Sequence, residues 1–331
     1  MTQSFIEISI LLTVGMHRSG TSLTAALLQS SGLHIGEKLM RASPANVRGH
    51  FENLDFYRFH ERVLQSQAID PAGWTLQKSI QVESAFIQLA HQLVMDNARS
   101  PAWGWKDPRT TLFLNFWANL LPNANFLLVY RAPWEVIDSL YRRGTDQVFL
   151  NQPDLAPKIW QHYNQNILDF LDRFPNRCLL VNVQTIVTHT QNWIDTLNQK
   201  FQLQLTAPDP ALYEPSLLHQ QNSGNKYPSL LQTYFPQVLE TYEQLESKAW
   251  QPEPHLATVI PHLTPLPAQE CTFQNWLDLR LAEKEQQTLK TQINQLQEQH
   301  KQLNQQHQHL QAELQQVRSQ LQQLQQASTH S

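Results

Sequence analysis

Near its beginning the chain reads LLTVGMHRSGTS, from Leu11 to Ser22. The apolar residues that end at Val14 are typical of a buried strand, and Gly15 and Gly20 bound a short turn that leads into a helix. At such a junction, successive backbone N–H groups and the positive end of the helix dipole point at one place. The stretch therefore predicts an anion-binding loop at the carboxyl end of a strand.

This loop departs from the nucleotide-binding pattern G-x-x-x-x-G-K-[ST] at one position. Gly15, Gly20 and Ser22 fit the pattern, but Thr21 stands where an NTPase has the lysine that contacts the β- and γ-phosphates. The cation is instead Arg18, two residues before the second glycine. A P-loop kinase or NTPase, which would bind ATP with Mg²⁺, is therefore an alternative that the loop disfavours.

Beyond the loop, short apolar runs alternate with stretches of helical periodicity over residues 1–250. Strands are expected at Glu7–Val14, Ala102–Lys106, Asn125–Tyr130 and Cys178–Val183. Helices are expected at Thr21–Ser31, Asn53–Gln67, Ile80–Ala98, Pro133–Arg142, Leu155–Arg173 and Ser229–Glu246. This alternation predicts an α/β fold, with a P-loop-type parallel sheet flanked by helices.

A second basic residue, Arg131, follows the strand that ends at Tyr130. In an NTPase of this architecture an acidic residue would hold Mg²⁺ near such a strand end, whereas an arginine would repel a metal ion and suits a directly bound phosphate. Pro133 then begins a predicted helix, and Ser139 lies on it, eight residues after Arg131. The pattern predicts a second anion site without a metal.

Three further residues are candidates for chemistry at this edge of the sheet. Lys106 ends a predicted strand in the run WGWKDPR, and His50 and Glu52 point to the same side of the extended segment GHFEN. A neutral hydroxyl is a poor nucleophile, and either His50 or Glu52 could accept its proton. Structural roles remain open for Lys106, as a strand-end surface lysine, and for Glu52, as a carboxylate at a helix dipole. Asp107 and Arg109 are expected to pair with each other or to cap the following helix.

At these residues the sequence resembles the sulfotransferases that use 3′-phosphoadenosine-5′-phosphosulfate (PAPS). The loop has the R-S-G-T-S form of their bacterial and Golgi carbohydrate branches. The run from Arg131 to Ser139 has the form R-x-P-x-x-x-x-x-S, with which the family grips the 3′-phosphate of PAPS. The resemblance implies that the 5′-phosphosulfate is held by five consecutive residues. These are Arg18, Ser19, Gly20, Thr21 and Ser22.

The same resemblance implies roles for the other candidates. The lysine of the family's K-D-P segment, here Lys106, is assigned to the charge on the bridging oxygen. The G-x-F-E-N segment is similar to that of bacterial and Golgi-type members, whose glutamate is the favoured base, so Glu52 ranks first and His50 second. In related enzymes a basic residue from a late loop folds over the cofactor, which implies a lid contact for Lys226. The implied reaction moves a sulfuryl group from PAPS to an acceptor hydroxyl, and the motif variants favour a glycan acceptor.

The end of the chain differs in composition, because 18 of the 43 glutamines lie between Glu285 and Gln326. From Leu279 onward, eleven of the fourteen a and d positions are apolar over more than six heptads, which is typical of a coiled coil. A homodimer is expected through it, with a trimer next. The expected organisation is a sulfotransferase-like domain at residues 1–250, a Pro-rich linker at 251–272, a Gln-rich coiled coil at 273–326 and a tail at 327–331.

Charge and cysteine usage limit the function classes further. A net charge of −4 disfavours a general nucleic-acid or anionic-membrane binder, although it permits a local basic site. Cys178 and Cys271 lie far apart, which predicts a reducing compartment rather than a disulfide scaffold. Apolar runs stay below 18 residues, so neither a membrane span nor a signal peptide is expected. The expected location is cytoplasmic.

A function of a different class also remains open. The chain could be a non-catalytic scaffold that binds a nucleotide in its globular domain and oligomerises through its coiled coil. Turnover of a sulfuryl donor would separate this scaffold from an enzyme.

Overall fold

The computed structural model of the chain describes residues 8–41, 49–212, 226–253 and 272–328, and only the backbone of Lys226 and of residues 321–328. Contacts between residues divide the chain into two units, Met1–Leu277 and Asp278–Ser331. The first unit contains the sheet, and the described part of the second is helical.

The sheet of the first unit is parallel throughout its described strands. The strands are β1 Ser9–Val14, β2 Ala102–Trp103, β3 Ala124–Tyr130 and β4 Cys178–Asn182. They lie side by side in the order β2-β1-β3-β4. Because each pair is parallel, the carboxyl ends of these strands share one edge of the sheet, where α/β folds bind their ligands.

Helices connect the strands. They are α1 Thr21–Ser30, α2 Leu54–Ser66, α3 Ser84–Asn97, α4 Leu114–Leu120, α5 Pro133–Arg143, α6 Gln147–Asn151, α7 Leu155–Arg173, α8 Val183–Thr188, α9 Thr190–Phe201, α10 Lys226–Tyr234, α11 Pro236–Lys248 and α12 Phe273–Ser328. Short 3-10 helices span Pro108–Phe113, Pro175–Arg177 and Pro210–Leu212.

Both faces of the sheet are covered. Side chains alternate along each strand, so successive residues face opposite layers. On one face, Leu127 and Val181 pack with Ile194 of α9 in a buried cluster. On the other, the ring of Phe126 packs on that of Phe170 in α7, with centroids 4.8 Å apart. The short apolar strands of the sequence are therefore explained by burial on both sides, and the predicted parallel α/β fold is confirmed.

One predicted helix is wrong in its extent. The helix expected at Ser229–Glu246 is two helices, α10 and α11. Pro236 lies at the first position of α11. Proline has no N–H to continue α10, but its fixed φ angle suits the start of a helix.

One predicted strand is also shorter than expected. The run Ala102–Lys106 forms strand pairs with β1 only at Ala102 and Trp103, and Lys106 makes an isolated bridge to Thr13. Between them, a Cβ added to Gly104 would lie 1.8 Å from the carbonyl oxygen of Leu11. The backbone passes too close to β1 there for any residue with a side chain.

The second unit continues α12. Seven apolar side chains at the predicted a and d positions are between 51% and 63% exposed. They are Leu289, Ile293, Leu296, Leu303, Leu310, Leu314 and Val317. A row of this kind along one helix face is what a single copy of a coiled-coil strand presents. Among the described residues, no helix combines the length and the apolar character required to cross a bilayer.

Candidate active site

The loop between β1 and α1 has the backbone geometry of an anion site. Arg18 and Gly20 have left-handed φ angles of 67° and 88°, and such residues let successive N–H groups converge on one ligand. At Gly20 an added Cβ would lie 2.3 Å from Val183, so glycine is required for α1 to begin this close to α8. The N–H of Gly15 donates to Thr111 Oγ1 at 3.1 Å, which ties the loop to the neighbouring 3-10 helix.

The Ser19 side chain is buried in the middle of this loop. Its Oγ atom has no hydrogen-bond partner among the described residues. A buried hydroxyl that is left unpaired costs about 1–3 kcal/mol. A phosphate or sulfate oxygen would provide the partner that the protein does not, and α1 begins two residues later, at Thr21. The loop therefore fits an anionic group.

The two predicted anion motifs meet in the folded chain. Arg18 Nε donates a hydrogen bond of 2.9 Å to Ser139 Oγ, across 121 positions of sequence. Arg131 directly follows β3 and forms an ion pair with Glu135 in the first turn of α5, at 2.8 Å. The loop after β1 and the first two turns of α5 thus form one continuous surface at the carboxyl edge of the sheet.

This surface is strongly basic. Burial, followed by the charges of three neighbouring arginines, lowers the pKa of Arg18 to about 10. The neighbours are Arg131, Arg142 and Arg143. Since like charges concentrated in one place raise the energy of the empty site, a multiply charged anion would relieve the repulsion.

The three predicted catalytic residues also lie together. Lys106 Nζ and Glu52 Oε1 form a buried ion pair at 2.5 Å. The second oxygen, Glu52 Oε2, is buried, has no hydrogen-bond partner within the described part of the chain, and lies 3.7 Å from His50 Nδ1. Burial lowers the pKa of His50, although the charge of Glu52 opposes this effect. Lys106 is thus a buried, paired cation and not a surface lysine.

A buried network fixes the turn that follows Lys106. Trp117 Nε1 donates to His60 Nε2 at 2.9 Å, so the imidazole proton is on Nδ1, which donates to Asp107 Oδ2 at 2.8 Å. The other carboxylate oxygen, Oδ1, accepts from both Nη1 and the backbone N–H of Arg109. Burial alone would raise the pKa of Asp107, but Arg109 and His60 hold it well below its usual range. The expected pairing of Asp107 with Arg109 is present.

A second set of contacts was not foreseen from the sequence. Three consecutive carbonyls, Pro71–Gly73, each accept a hydrogen bond from a different part of the fold. The donors are Arg109 Nε at 2.6 Å, His17 Nε2 at 3.0 Å and the Tyr163 hydroxyl at 2.9 Å. Burial, and then the nearby arginine charges, lower the pKa of His17 well below its ordinary value, so the ring is neutral at pH 7. The ring of Trp74 packs on that of His17, with centroids 4.7 Å apart.

No sequence signal marks these contacts. His17 occupies a variable position of the loop motif, and Tyr163 lies inside α7, more than 90 residues after the segment it holds. Backbone carbonyls accept hydrogen bonds whatever the side chain, so the sequence of Pro71–Gly73 carries no pattern for them.

Two predictions concern residues that the structure describes only in part: the lid contact of Lys226 and the Pro-rich linker at 251–272. The Lys226 backbone begins α10, but its side chain lies outside the described residues, so its lid contact stays a prediction. Within the described ranges, no group of three or more His, Cys, Asp and Glu side chains is placed to hold a metal ion.

The fold and the site together define a class of protein: a parallel α/β protein whose loop after β1 fits an anionic group. The sequence matches the model of the sulfotransferase family over residues 11–207, more than half of the chain. The chain therefore belongs to the sulfotransferase family. The matched range contains both anion motifs and the Lys106–Glu52 pair.

Solved structures with similar folds are distant in sequence. The sulfotransferase domain of the Synechococcus PCC 7002 olefin synthase is 19% identical, with 85% of this chain and 98% of that chain covered and a TM-score of 0.39. A sulfotransferase from Alicyclobacillus acidocaldarius is 15% identical, with 72% and 94% covered and a TM-score of 0.42. One from Mycobacterium avium is 14% identical, with 72% and 77% covered and a TM-score of 0.44. A comparison with curated protein sequences gave no match.

Proposed function

We propose that this sulfotransferase moves a sulfuryl group from PAPS to a hydroxyl of a carbohydrate acceptor. The observation that carries the proposal is the hydrogen bond between Arg18 and Ser139, because it joins the two anion motifs into one site. PAPS carries a phosphosulfate and a separate 3′-phosphate, and it supplies the activated sulfuryl group when bound. The carbohydrate acceptor is proposed from the R-S-G-T-S and G-x-F-E-N variants of the motifs.

Each of the two anion motifs would bind a different charged group of the donor. The loop from Arg18 to Ser22 would hold the phosphosulfate, with the unpaired Ser19 hydroxyl as one donor of a hydrogen bond. Arg131 and Ser139 would hold the 3′-phosphate. Arginine suits this task because its planar guanidinium makes paired hydrogen bonds to phosphate oxygens. Lys226 would close over the donor from the start of α10.

The Lys106–Glu52 pair would carry out the proton and charge chemistry. Glu52 Oε2 is the free oxygen of the carboxylate and would accept the proton of the acceptor hydroxyl. When Glu52 takes that proton it loses its charge and no longer neutralises Lys106. The ammonium charge of Lys106 then becomes available to the oxygen on which negative charge develops. The ion pair thus couples deprotonation of the acceptor to stabilisation of the leaving group.

His50 is the second candidate for the base. Its Nδ1 atom lies 3.7 Å from Glu52 Oε2, and its side chain is 25% exposed. Because His50 borders solvent, it could also pass the proton from Glu52 to water. Replacing it with glutamine should lower the rate less than the loss of Glu52 does.

Labelled PAPS and a panel of glycans, peptides and phenols test the proposal. Wild type should transfer label without added metal, and the Lys106→Met and Glu52→Gln variants should lower kcat by about 10²–10⁴-fold. Lys158→Met is a matched control, because Lys158 is an exposed lysine of α7 whose ion pair is with the also exposed Asp154. A double variant at Lys106 and Glu52 that transfers label as fast as wild type would refute the assigned mechanism.

The same assay separates the alternatives. A kinase or NTPase would bind ATP with Mg²⁺ in preference to adenosine 3′,5′-bisphosphate. A scaffold would bind the bisphosphate but leave PAPS intact. We also propose a homodimer through α12 and a cytoplasmic location. The location is supported by cysteine usage, since Cys178 is a buried free thiol.

A further inference from the structure

Trp276 lies in the first turn of α12 and is the centre of a buried aromatic cluster in the first unit. Its side chain is 1% exposed. The indole ring stacks on Tyr227 of α10, with centroids 3.9 Å apart and planes 4° from parallel. The edge of Tyr141 in α5 packs against it at 5.3 Å. The first turn of α12 is therefore an integral part of the first unit.

The same ring is hydrogen-bonded to the helix that carries Ser139. Trp276 Nε1 donates to Asp138 Oδ1 at 2.9 Å, and Asp138 Oδ2 pairs with Arg142 at 2.9 Å. Asp138 and Trp276 are buried, so their hydrogen bond is shielded from water, whereas the side chain of Arg142 is 23% exposed. A hydrogen bond to a carboxylate is stronger than one between neutral groups.

Helical geometry couples this contact to the donor site. Each residue turns an α-helix by about 100°, so Asp138 and Ser139 project from neighbouring faces of α5. The Ser139 face meets Arg18, and the Asp138 face meets Trp276. The rotation of α5 about its axis is therefore fixed from both sides. Releasing Asp138 from Trp276 would let α5 turn and would move Ser139 away from Arg18.

We propose that Trp276 is a positioning residue for the donor site: it sets the rotation of α5 and thereby the position of Ser139 toward the 3′-phosphate of the donor. This rests on the proposed function, in which Ser139 holds that phosphate. The stack on Tyr227 extends the effect to the start of α10, which contains Lys226. The beginning of the C-terminal helix thus contributes to binding of the donor.

The test compares two ligands that differ only in the 3′-phosphate. Dissociation constants of the full chain for adenosine 3′,5′-bisphosphate and for adenosine 5′-phosphate are measured by calorimetry. Wild type should prefer the bisphosphate. Trp276→Phe keeps an aromatic ring but loses the N–H donor, and it should reduce that preference about tenfold. With PAPS, its KM should rise by a similar factor while kcat at saturation changes less than twofold.

Trp193→Phe is the matched control. Trp193 is a fully buried tryptophan of α9, and its Nε1 atom has no hydrogen-bond partner among the described residues. It should lose stability without losing the preference for the bisphosphate. Asp138→Ala is a second variant, which leaves both tryptophans in place, removes the bond to Trp276 together with the ion pair to Arg142, and should reduce the preference at least as much as Trp276→Phe does. The double variant of Trp276 and Asp138 should be no worse than Asp138→Ala alone, because both remove the same contact.

The outcomes are distinguishable. If wild type shows no preference for the bisphosphate, the proposed function fails, and the role of Trp276 fails with it. If wild type shows the preference and both Trp276→Phe and Asp138→Ala retain it, the role of Trp276 alone is overturned. A loss of affinity that is equal for the two ligands would overturn it as well, because general loosening of the core would weaken both.

Discussion

Ser19 keeps a buried hydroxyl in the anion loop although no described residue bonds to it. A second buried serine of the same unit does form a hydrogen bond within the fold. The equally buried Ser31 donates from Oγ to the carbonyl of Leu27 at 2.8 Å. Ser31 therefore stabilises the fold through its hydrogen bond, and we propose that the Ser19 hydroxyl instead donates a hydrogen bond to the bound ligand.

Replacing these two serines should have opposite consequences. Ser19→Ala removes an unsatisfied hydroxyl, so the free energy of unfolding should stay the same or rise by up to about 1 kcal/mol, while affinity for adenosine 3′,5′-bisphosphate falls about tenfold. Ser31→Ala should cost about 1 kcal/mol of stability and leave affinity unchanged. Urea denaturation and calorimetry measure the two quantities. If Ser19→Ala destabilises the chain as much as Ser31→Ala does, Ser19 is an ordinary structural serine.

At the scale of elements, the Pro71–Gly73 segment is held by three donors from three parts of the fold. One of them is the Tyr163 hydroxyl of α7, which is fully buried. Another is His17 of the anion loop, so the segment and the loop share a hydrogen bond. Removing the Tyr163 hydroxyl from α7 should therefore alter the mobility of this segment, because the carbonyl of Gly73 would lose that hydrogen bond.

Tyr163→Phe should loosen this segment. The carbonyl of Gly73 would keep the backbone N–H of Thr75 as a donor at 2.9 Å but would lose a buried hydrogen bond, which costs about 0.5–1.5 kcal/mol. Hydrogen exchange should accelerate at residues 71–75 more than elsewhere. Tyr141→Phe is the matched control, because its hydroxyl donates to the carbonyl of Pro153 at 2.6 Å in a different place. Equal rates of hydrogen exchange at residues 71–75 in Tyr163→Phe and Tyr141→Phe would contradict the proposal that the Tyr163 hydroxyl holds this segment.

The sequence was informative wherever a short motif coincided with the end of a strand. Arg18 and Arg131 could be assigned to one edge because parallel strands bring their carboxyl ends together. The pairing of Lys106 with Glu52 could not be predicted. Each motif implies a separate role for its residue, and neither motif indicates the distance between the two side chains. Pro236 marks the break between the two helices in the sequence. The helical periodicity on both sides of it nevertheless predicts one continuous helix.

The sequence was least informative about contacts made by a single polar atom across the fold. His60 fixes Asp107, and Trp276 fixes Asp138, through bonds that connect positions far apart in the chain. His60, Asp138 and Trp276 are ordinary residues on helices, whose period indicates which face is buried but not what lies opposite. Such contacts require the packing of the elements to be known first.

At the scale of the whole molecule, α12 exposes a row of apolar side chains to solvent along one helix face. Leucine dominates its d positions, as at Leu303 and Leu310, which are 62% and 60% exposed. Burying such side chains against a second copy would stabilise the helix by about 1.5–3 kcal/mol for each. This supports the proposed homodimer.

Charged residues in the row should dissociate the dimer. The full chain with Leu303→Glu and Leu310→Glu should sediment as a monomer, while wild type sediments as a dimer at micromolar concentration. The control places the same charges on the opposite face, as Gln305→Glu and Ala312→Glu, and it should remain dimeric. A wild-type chain that is monomeric at about 50 μM would refute the proposal, since coiled coils of this length associate more tightly than that.

The bond between Arg18 and Ser139 also has a meaning for how the chain folds. It spans 121 positions, so the loop that it closes carries a large entropic cost and cannot form until β3 and α5 are in place. During synthesis, the anion loop leaves the ribosome long before its partner does. The two motifs therefore meet only after β3 and α5 have folded, and a ligand that bridges them would report folding of the chain through α5.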